Sequence, residues 1–169
     1  MHNINRTNYT HDISHGFFNP MLCVGCFFTK GENMQMTLIK NTDITATLAY
    51  KIARVVYAET GATSLSGVEA LTAMIKNLSE KTGQNFETII TDENIFNSLN
   101  KSSPKYERIS VPADNRAFQM CVRVASRMLA GGLIDKSFGA TKFHHADVMP
   151  TWAIARGYIA DIDGMLFYL

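Results

Sequence analysis

Leu48-Ala49-Tyr50-Lys51-Ile52-Ala53-Arg54-Val55-Val56-Tyr57-Ala58-Glu59-Thr60-Gly61 is the stretch on which the fold turns. Leu48, Ile52, Val55 and Glu59 are spaced i, i+4, i+7 and i+11, which is one face of a helix. Asp43 or Thr45 is the expected N-cap, the helix is expected to run to Ala58, and Gly61 is its natural stop. Glu59 therefore continues an apolar stripe and points toward the core. It also sits at the end of the helix where unpaired carbonyls carry partial negative charge. Burial and dipole both disfavour an ionised carboxylate, so the position predicts a raised pKa. A carboxylic acid that stays protonated near neutral pH is what general acid catalysis requires. The plainer alternative is a last-turn glutamate that swings into water.

Further along, Ser66-Gly67-Val68-Glu69 fits a capping box, which assigns Glu69 to the start of a second helix. Ala70, Leu71, Met74, Ile75 and Leu78 give that helix its apolar face, and Gly83 ends it. A short helical piece is expected at 86–90. Residues 97–112 are polar and contain Pro104 and Pro112, which predicts a long loop with a strand at 106–111. A further helix is expected from Asp114 or Asn115 to Leu129, buried along Ala117, Cys121, Val124 and Met128 and closed by Gly131-Gly132. In the last forty residues, short β-branched and aromatic runs alternate with Gly139, Pro150, Gly157 and Gly164, which predicts short strands and turns.

The chain has 169 residues, 46% of them hydrophobic, enough for one domain with a real core. That domain is expected at 46–169, preceded at 1–45 by an irregular arm. Within the arm, His11-x3-His15 and Cys23-x2-Cys26 have zinc-ligand spacing. The seven residues between the two pairs are fewer than a usual finger loop, so an ordinary tail is the competing interpretation. A net charge of +1 offers no basic stripe for nucleic acid and no polybasic patch for a membrane surface. Three cysteines do not make a disulfide framework. No run reaches the ~18–20 apolar residues of a membrane helix. The most apolar run, Phe17 to Phe28, contains Pro20 and lacks a cleavage pattern, so no export signal is expected.

Several short motifs occur in a telling order. Ala53-Arg54-Val55-Val56-Tyr57-Ala58-Glu59 resembles the opening motif of the SleB-type cell wall hydrolases, which include spore cortex-lytic enzymes and phage-encoded homologues. Gly61, and then Gly67 through Asn77, resemble the glycine turn and the Asn-terminated helix that follow. Gly139-Ala140-Thr141-Lys142-Phe143-His144 is similar to the family's Gly-Ala-Thr-x-aromatic-His/Tyr segment. Pro150-Thr151-Trp152-Ala153 resembles its Pro-x-Trp-Ala, and Phe167-Tyr168 its closing Phe-Tyr. The ordered matches run from 46 to 168.

The resemblance implies an α+β fold, mainly helical, lysozyme-related and compact, with a few short strands. It implies a peptidoglycan-degrading enzyme that cuts the glycan strand between N-acetylmuramic acid and N-acetylglucosamine, commonly as a lytic transglycosylase. Glu59 matches the family's essential glutamate. Trp152, Tyr168 and Phe96 are candidate platforms for sugar rings, although Trp152 could equally be core. Thr141, His144, Asn97 and Ser98 are candidate hydrogen-bonding partners for hydroxyl or acetamido groups. No cofactor and no metal are implied, the partner is the glycan strand, and a monomer is expected. If water were the nucleophile, a second carboxylate would be needed, with Asp92, Glu93, Asp147, Asp161 and Asp163 as candidates.

The chain also departs from the pattern. Val68 and Leu78 stand where many members carry a long-chain residue and an arginine. Phe96-Asn97-Ser98 stands for a Phe-Ser-Trp-like segment. In the closing motif, usually Ile-Gly-x-His-x-Phe-Tyr, Asp163 replaces the glycine and Met165 the histidine. These departures motivate an alternative, a catalytically inactive wall-binding or phage structural module. His144-His145-x-Asp147 offers metal-ligand types, but neighbouring residues on a strand point to opposite faces. With no export signal, accumulation in the cytoplasm before release onto the wall is expected.

Overall fold

The computed structural model describes residues 47–169; the arm with His11, His15, Cys23 and Cys26 lies outside them. The described part is an α+β structure, roughly half helical. The helices are α1 (Leu48–Thr60), α2 (Leu65–Thr82), the single-turn α3 (Phe86–Ile89) and α4 (Arg116–Leu129). Short 3-10 helices lie at Asn97–Leu99, Tyr106–Ser110 and Thr151–Ala153. Strands β1 (Lys142–His145), β2 (Ala160–Ile162) and β3 (Met165–Tyr168) form one antiparallel sheet in the order β1-β3-β2. Among the described residues no helix is long and apolar enough to cross a membrane.

The central element is α1. It packs against α2, α3, α4 and the 3-10 helices at Asn97–Leu99 and Tyr106–Ser110. Ile52, Ala53, Val56 and Ala58 are fully enclosed. The N-cap is Thr47, not Asp43 or Thr45: its hydroxyl accepts from the Tyr50 amide, and the helix starts there. The helix also runs two residues further than expected, to Thr60, where Gly61 takes the left-handed conformation (φ 62°) and donates its N–H to Tyr57 O. Arg54 clamps the next layer. Its guanidinium donates to the carbonyls of Ile109 (2.6 Å) and Val111 (3.3 Å) while lying over the Tyr50 and Phe118 rings. Those carbonyls end the segment at 106–111, which is a 3-10 helix and not the expected strand. On α4 it is Phe118, not Ala117, that is fully buried and leads the stripe of Cys121, Val124 and Met128.

The capping box at Ser66 does not form. Ser64 is the N-cap, accepting from the Gly67 amide, so Glu69 falls two residues beyond the reciprocal position. Glu69 instead turns inward and holds two cations from later in the chain, Arg127 of α4 and Lys136 at 2.6 Å. Asn77, near the end of α2, donates from Nδ2 to Asp135 Oδ2 (3.1 Å), Ser137 Oγ (3.1 Å) and Ala140 O (3.2 Å). It thereby fixes the loop that feeds β1.

The β2–β3 hairpin turns on Asp163-Gly164, both with positive φ (57° and 72°), the two-residue turn that matches strand twist. Asp163 Oδ2 accepts from Thr63 Oγ1 at 2.6 Å and rests on the first turn of α2, where the helix dipole favours a negative group. Gly67 leaves the room: a Cβ there would meet Asp163 Oδ2 at 2.8 Å and Ser64 Oγ at 3.2 Å. Gly67→Ala should therefore destabilise the fold by about 1 kcal/mol, overpacking outweighing the better helix former. The cost should shrink in an Asp163→Gly background. Equal costs in the two backgrounds, measured by urea denaturation, would refute the contact.

Candidate active site

A cleft of about 700 Å³ opens between the end of α1 and the sheet. Glu59, Asn97, Lys105, Thr141, His144, His145 and Trp152 line it, with Leu78, Glu93 and Asp147. Glu59 is 2% exposed, in the last turn of α1. The sequence thus anticipated its inward direction correctly. Ser98 N–H donates to Oε1 at 2.7 Å. Oε2 lies 2.9 Å from His145 Nε2 and 3.5 Å from Lys105 Nζ.

The expected sign of the Glu59 pKa is overturned. Burial does push it up, and is the largest single influence. The contacts with His145, with the Ser98 amide and with the Lys105 ammonium together outweigh it and hold the carboxyl below its usual range. Helical periodicity registers depth, but donors brought from other segments decide the charge.

His145 and Lys105 were not among the site residues expected from sequence. For His145 a signal existed. Along β1 the core face takes alternate residues, so His145 shares the face of Phe143. It is the polar end of that face, and the Phe143 ring meets its imidazole edge-on at 5.7 Å. Lys105 carries no comparable mark; its position follows from the turn before the 3-10 helix that Arg54 clamps.

The other expected residues divide. Asn97, Thr141, His144 and Trp152 do line the cleft with Glu59. Ser98 is fully buried, and its backbone amide, not its hydroxyl, makes the short contact to Glu59. Phe96 is also fully buried, 5.9 Å from the Phe143 ring, and is a core residue and not a sugar platform. Tyr168 is 3% exposed and outside the cleft lining. Its hydroxyl lies 2.8 Å from His144 Nε2, and His144 Nδ1 lies 2.9 Å from the His145 carbonyl. Because a carbonyl only accepts, Nδ1 is the donor in the second of these contacts. His144, Tyr168 and half-buried Trp152 form one aromatic cluster, and the Lys142 ammonium sits 5.4 Å from the Trp152 ring centre.

Of the candidate second carboxylates, Glu93 and Asp147 reach the cleft. Asp163 is held by Thr63, and Asp92 accepts from the backbone and side chain of Asn94. Among the described residues no group of three or more His, Cys, Asp or Glu side chains is arranged to hold a metal ion. Comparison with protein-family models, curated proteins and solved structures gave no match.

Glu59 links stability to pH with a defined sign. Its native pKa lies below the unfolded value, so ionised Glu59 contributes stability that is complete above about pH 4.3 and is lost as pH falls through the native value. The stability difference between the wild type and Glu59→Gln, from urea denaturation, should therefore narrow below about pH 4.3. A difference that widens toward acid would mean that burial wins and the native pKa is raised.

Proposed function

We propose that this protein degrades peptidoglycan, cutting the glycan strand between N-acetylmuramic acid and N-acetylglucosamine as a lytic transglycosylase with Glu59 as its catalytic carboxylate. The observation that carries this is a convergence. Glu59, Thr141, His144 and Trp152, which belong to motifs spread from 53 to 153, line one cleft together with Asn97. A cleft of about 700 Å³ with one sealed carboxylate suits a polymer cut by a single acid. A helix ending in a glutamate that faces a small antiparallel sheet is also in keeping with the lysozyme-related fold that the motifs imply. On this reading the protein acts on the glycan strand of the bacterial wall as a monomer without a cofactor.

Cleavage needs a proton on the leaving glycosidic oxygen and support for an oxocarbenium-like centre at C1. Glu59 supplies the proton, and the electron pair of the breaking C1–O bond leaves with that oxygen. The muramic sugar's own 6-hydroxyl closes on C1, and its proton passes to the Glu59 carboxylate. The product is a 1,6-anhydro end, and no water is consumed. Asn97 and Thr141 offer hydrogen bonds to the sugar. The exposed part of Trp152 offers an apolar rest.

An ionised Glu59 cannot donate, so the bound glycan has to change its balance. Lys105 makes the longest contact to the carboxylate, 3.5 Å, and is the group that a sugar oxygen displaces. Loss of that cation and of the cleft water both favour the neutral acid. Wild type incubated with purified peptidoglycan should release anhydro-muropeptides, identified by mass spectrometry. Glu59→Gln should lose about 10²–10⁴-fold of that rate. Reducing-end products would instead mean a hydrolase and direct attention to Glu93 and Asp147. Binding without release by either protein would replace the enzyme with a wall-binding module.

A further inference from the structure

We propose that Lys142 reads a carboxylate on the peptide stem of the muramic sugar, so that the cleft selects peptide-bearing glycan strands over stripped ones. This deepens, and rests on, the function proposed above.

The cleft is lined by two lysines, Lys105 and Lys142, and they are engaged differently. Lys105 is turned onto Glu59 at 3.5 Å. Among the described residues Lys142 has no carboxylate partner. Its ammonium lies over the Trp152 ring, 5.4 Å from the centre. That ring is itself held edge to face by His144 at 5.7 Å and by Tyr168 at 5.2 Å. The Tyr168 hydroxyl in turn lies 2.8 Å from His144 Nε2. A flexible four-carbon side chain is thereby kept at one place on the cleft wall, with its charge unanswered.

Its place on the strand sets it apart from the bond that is cut. Lys142 and His145 are the two ends of β1, and at about 3.3 Å per residue they stand about 10 Å apart. Three steps along a strand put their side chains on opposite faces. The His145 ring lies 2.9 Å from Glu59, whereas Lys142 leaves the face that carries His144. What Lys142 recognises therefore lies beside the reacting centre and not in it.

The neighbouring charges narrow the ligand. Glu93 and Asp147 also line the cleft, exposed and without an ion pair among the described residues. A stripped glycan strand offers hydroxyl and acetamido groups and one lactyl carboxylate on each muramic sugar. A peptide stem takes that lactyl charge away by amide formation. In its place it brings carboxylates and, where it is not cross-linked, an ammonium. An open cation and open carboxylates in one cleft complement a ligand of both signs, which the stem is and the stripped strand is not. Binding energy gained on the stem, away from the cut bond, is available to hold the glycan in register for cleavage.

The test compares initial fragment release, at low substrate, from uncross-linked strands with intact stems and from the same strands stripped by an amidase. Wild type should favour intact strands about fivefold, the upper range for a partly exposed ion pair. Lys142→Gln should bring that ratio near one, and Lys142→Arg should keep it. The wild-type ratio should shrink as ionic strength rises from about 0.05 M to about 0.5 M, because the contact borders solvent. A ratio that Lys142→Gln leaves unchanged, whether both rates fall equally or neither falls, overturns the proposal and leaves Lys142 a support for Trp152. A ratio in favour of stripped strands overturns it as well and assigns Lys142 to the lactyl carboxylate. Calorimetric binding of the same strands to Glu59→Gln, with and without Lys142→Gln, reads the contact without cleavage. No preference there overturns the proposal even in an active enzyme. A Lys142-dependent preference there, with no fragments released by wild type, upholds the stem contact and overturns the transglycosylase function.

Discussion

A carboxylate sealed from water has to be answered by donors, and the answer given to Glu59 organises the site. Its partners come from residues 39, 46 and 86 positions further along the chain. Each sits where it does because another contact holds its segment. Arg54 pins the 3-10 helix that follows Lys105, Asn77 fixes the loop entering β1, and Phe96 anchors the chain two residues before Ser98. Remove any of these and a buried negative charge loses a partner, which is among the costliest defects that a core can hold.

The helices were largely legible from local pattern. The apolar stripes of α1, α2 and α4 and the glycines after α1 and α2 carried enough information. The starts of α1 and α2 were misjudged because several Ser, Thr and Asp residues compete as caps, and tertiary contacts choose among them. Ser64 wins over Ser66 where Asp163 and Thr63 close on the first turn of α2. Glu69 has the spacing of a cap residue, yet its carboxylate is taken by Arg127 and Lys136 from far along the chain.

Of the cleft's lining, sequence reasoning named Glu59, Asn97, Thr141, His144 and Trp152 as site residues but neither Lys105 nor His145, and it did not reach their arrangement. Glu59 could be singled out because one helix face sets its direction. Its ionisation could not, since that depends on groups from three other segments. Phe96 and Tyr168 were chosen for their ring chemistry, but ring size alone does not separate a platform from a core filler. The departures in the closing motif gain a meaning in three dimensions. Asp163 forms the hairpin turn and meets the α2 N-terminus. Met165, where the resembled family has a histidine, lies directly opposite His145 across the β1–β3 pair.

The sheet has three strands of three or four residues, too little to persist alone in water. It borrows its permanence from a ring cluster beneath it, where Phe143 meets Phe96 at 5.9 Å and Phe167 at 6.2 Å. The half of the site that carries His145 is therefore anchored by aromatic packing, whereas the half that carries Glu59 is anchored by a helix bundle. Heat, cosolvent or a detergent that loosens the aromatic cluster can part the two halves while helical content stays intact. Loss of function and loss of secondary structure are separable events in a molecule built this way.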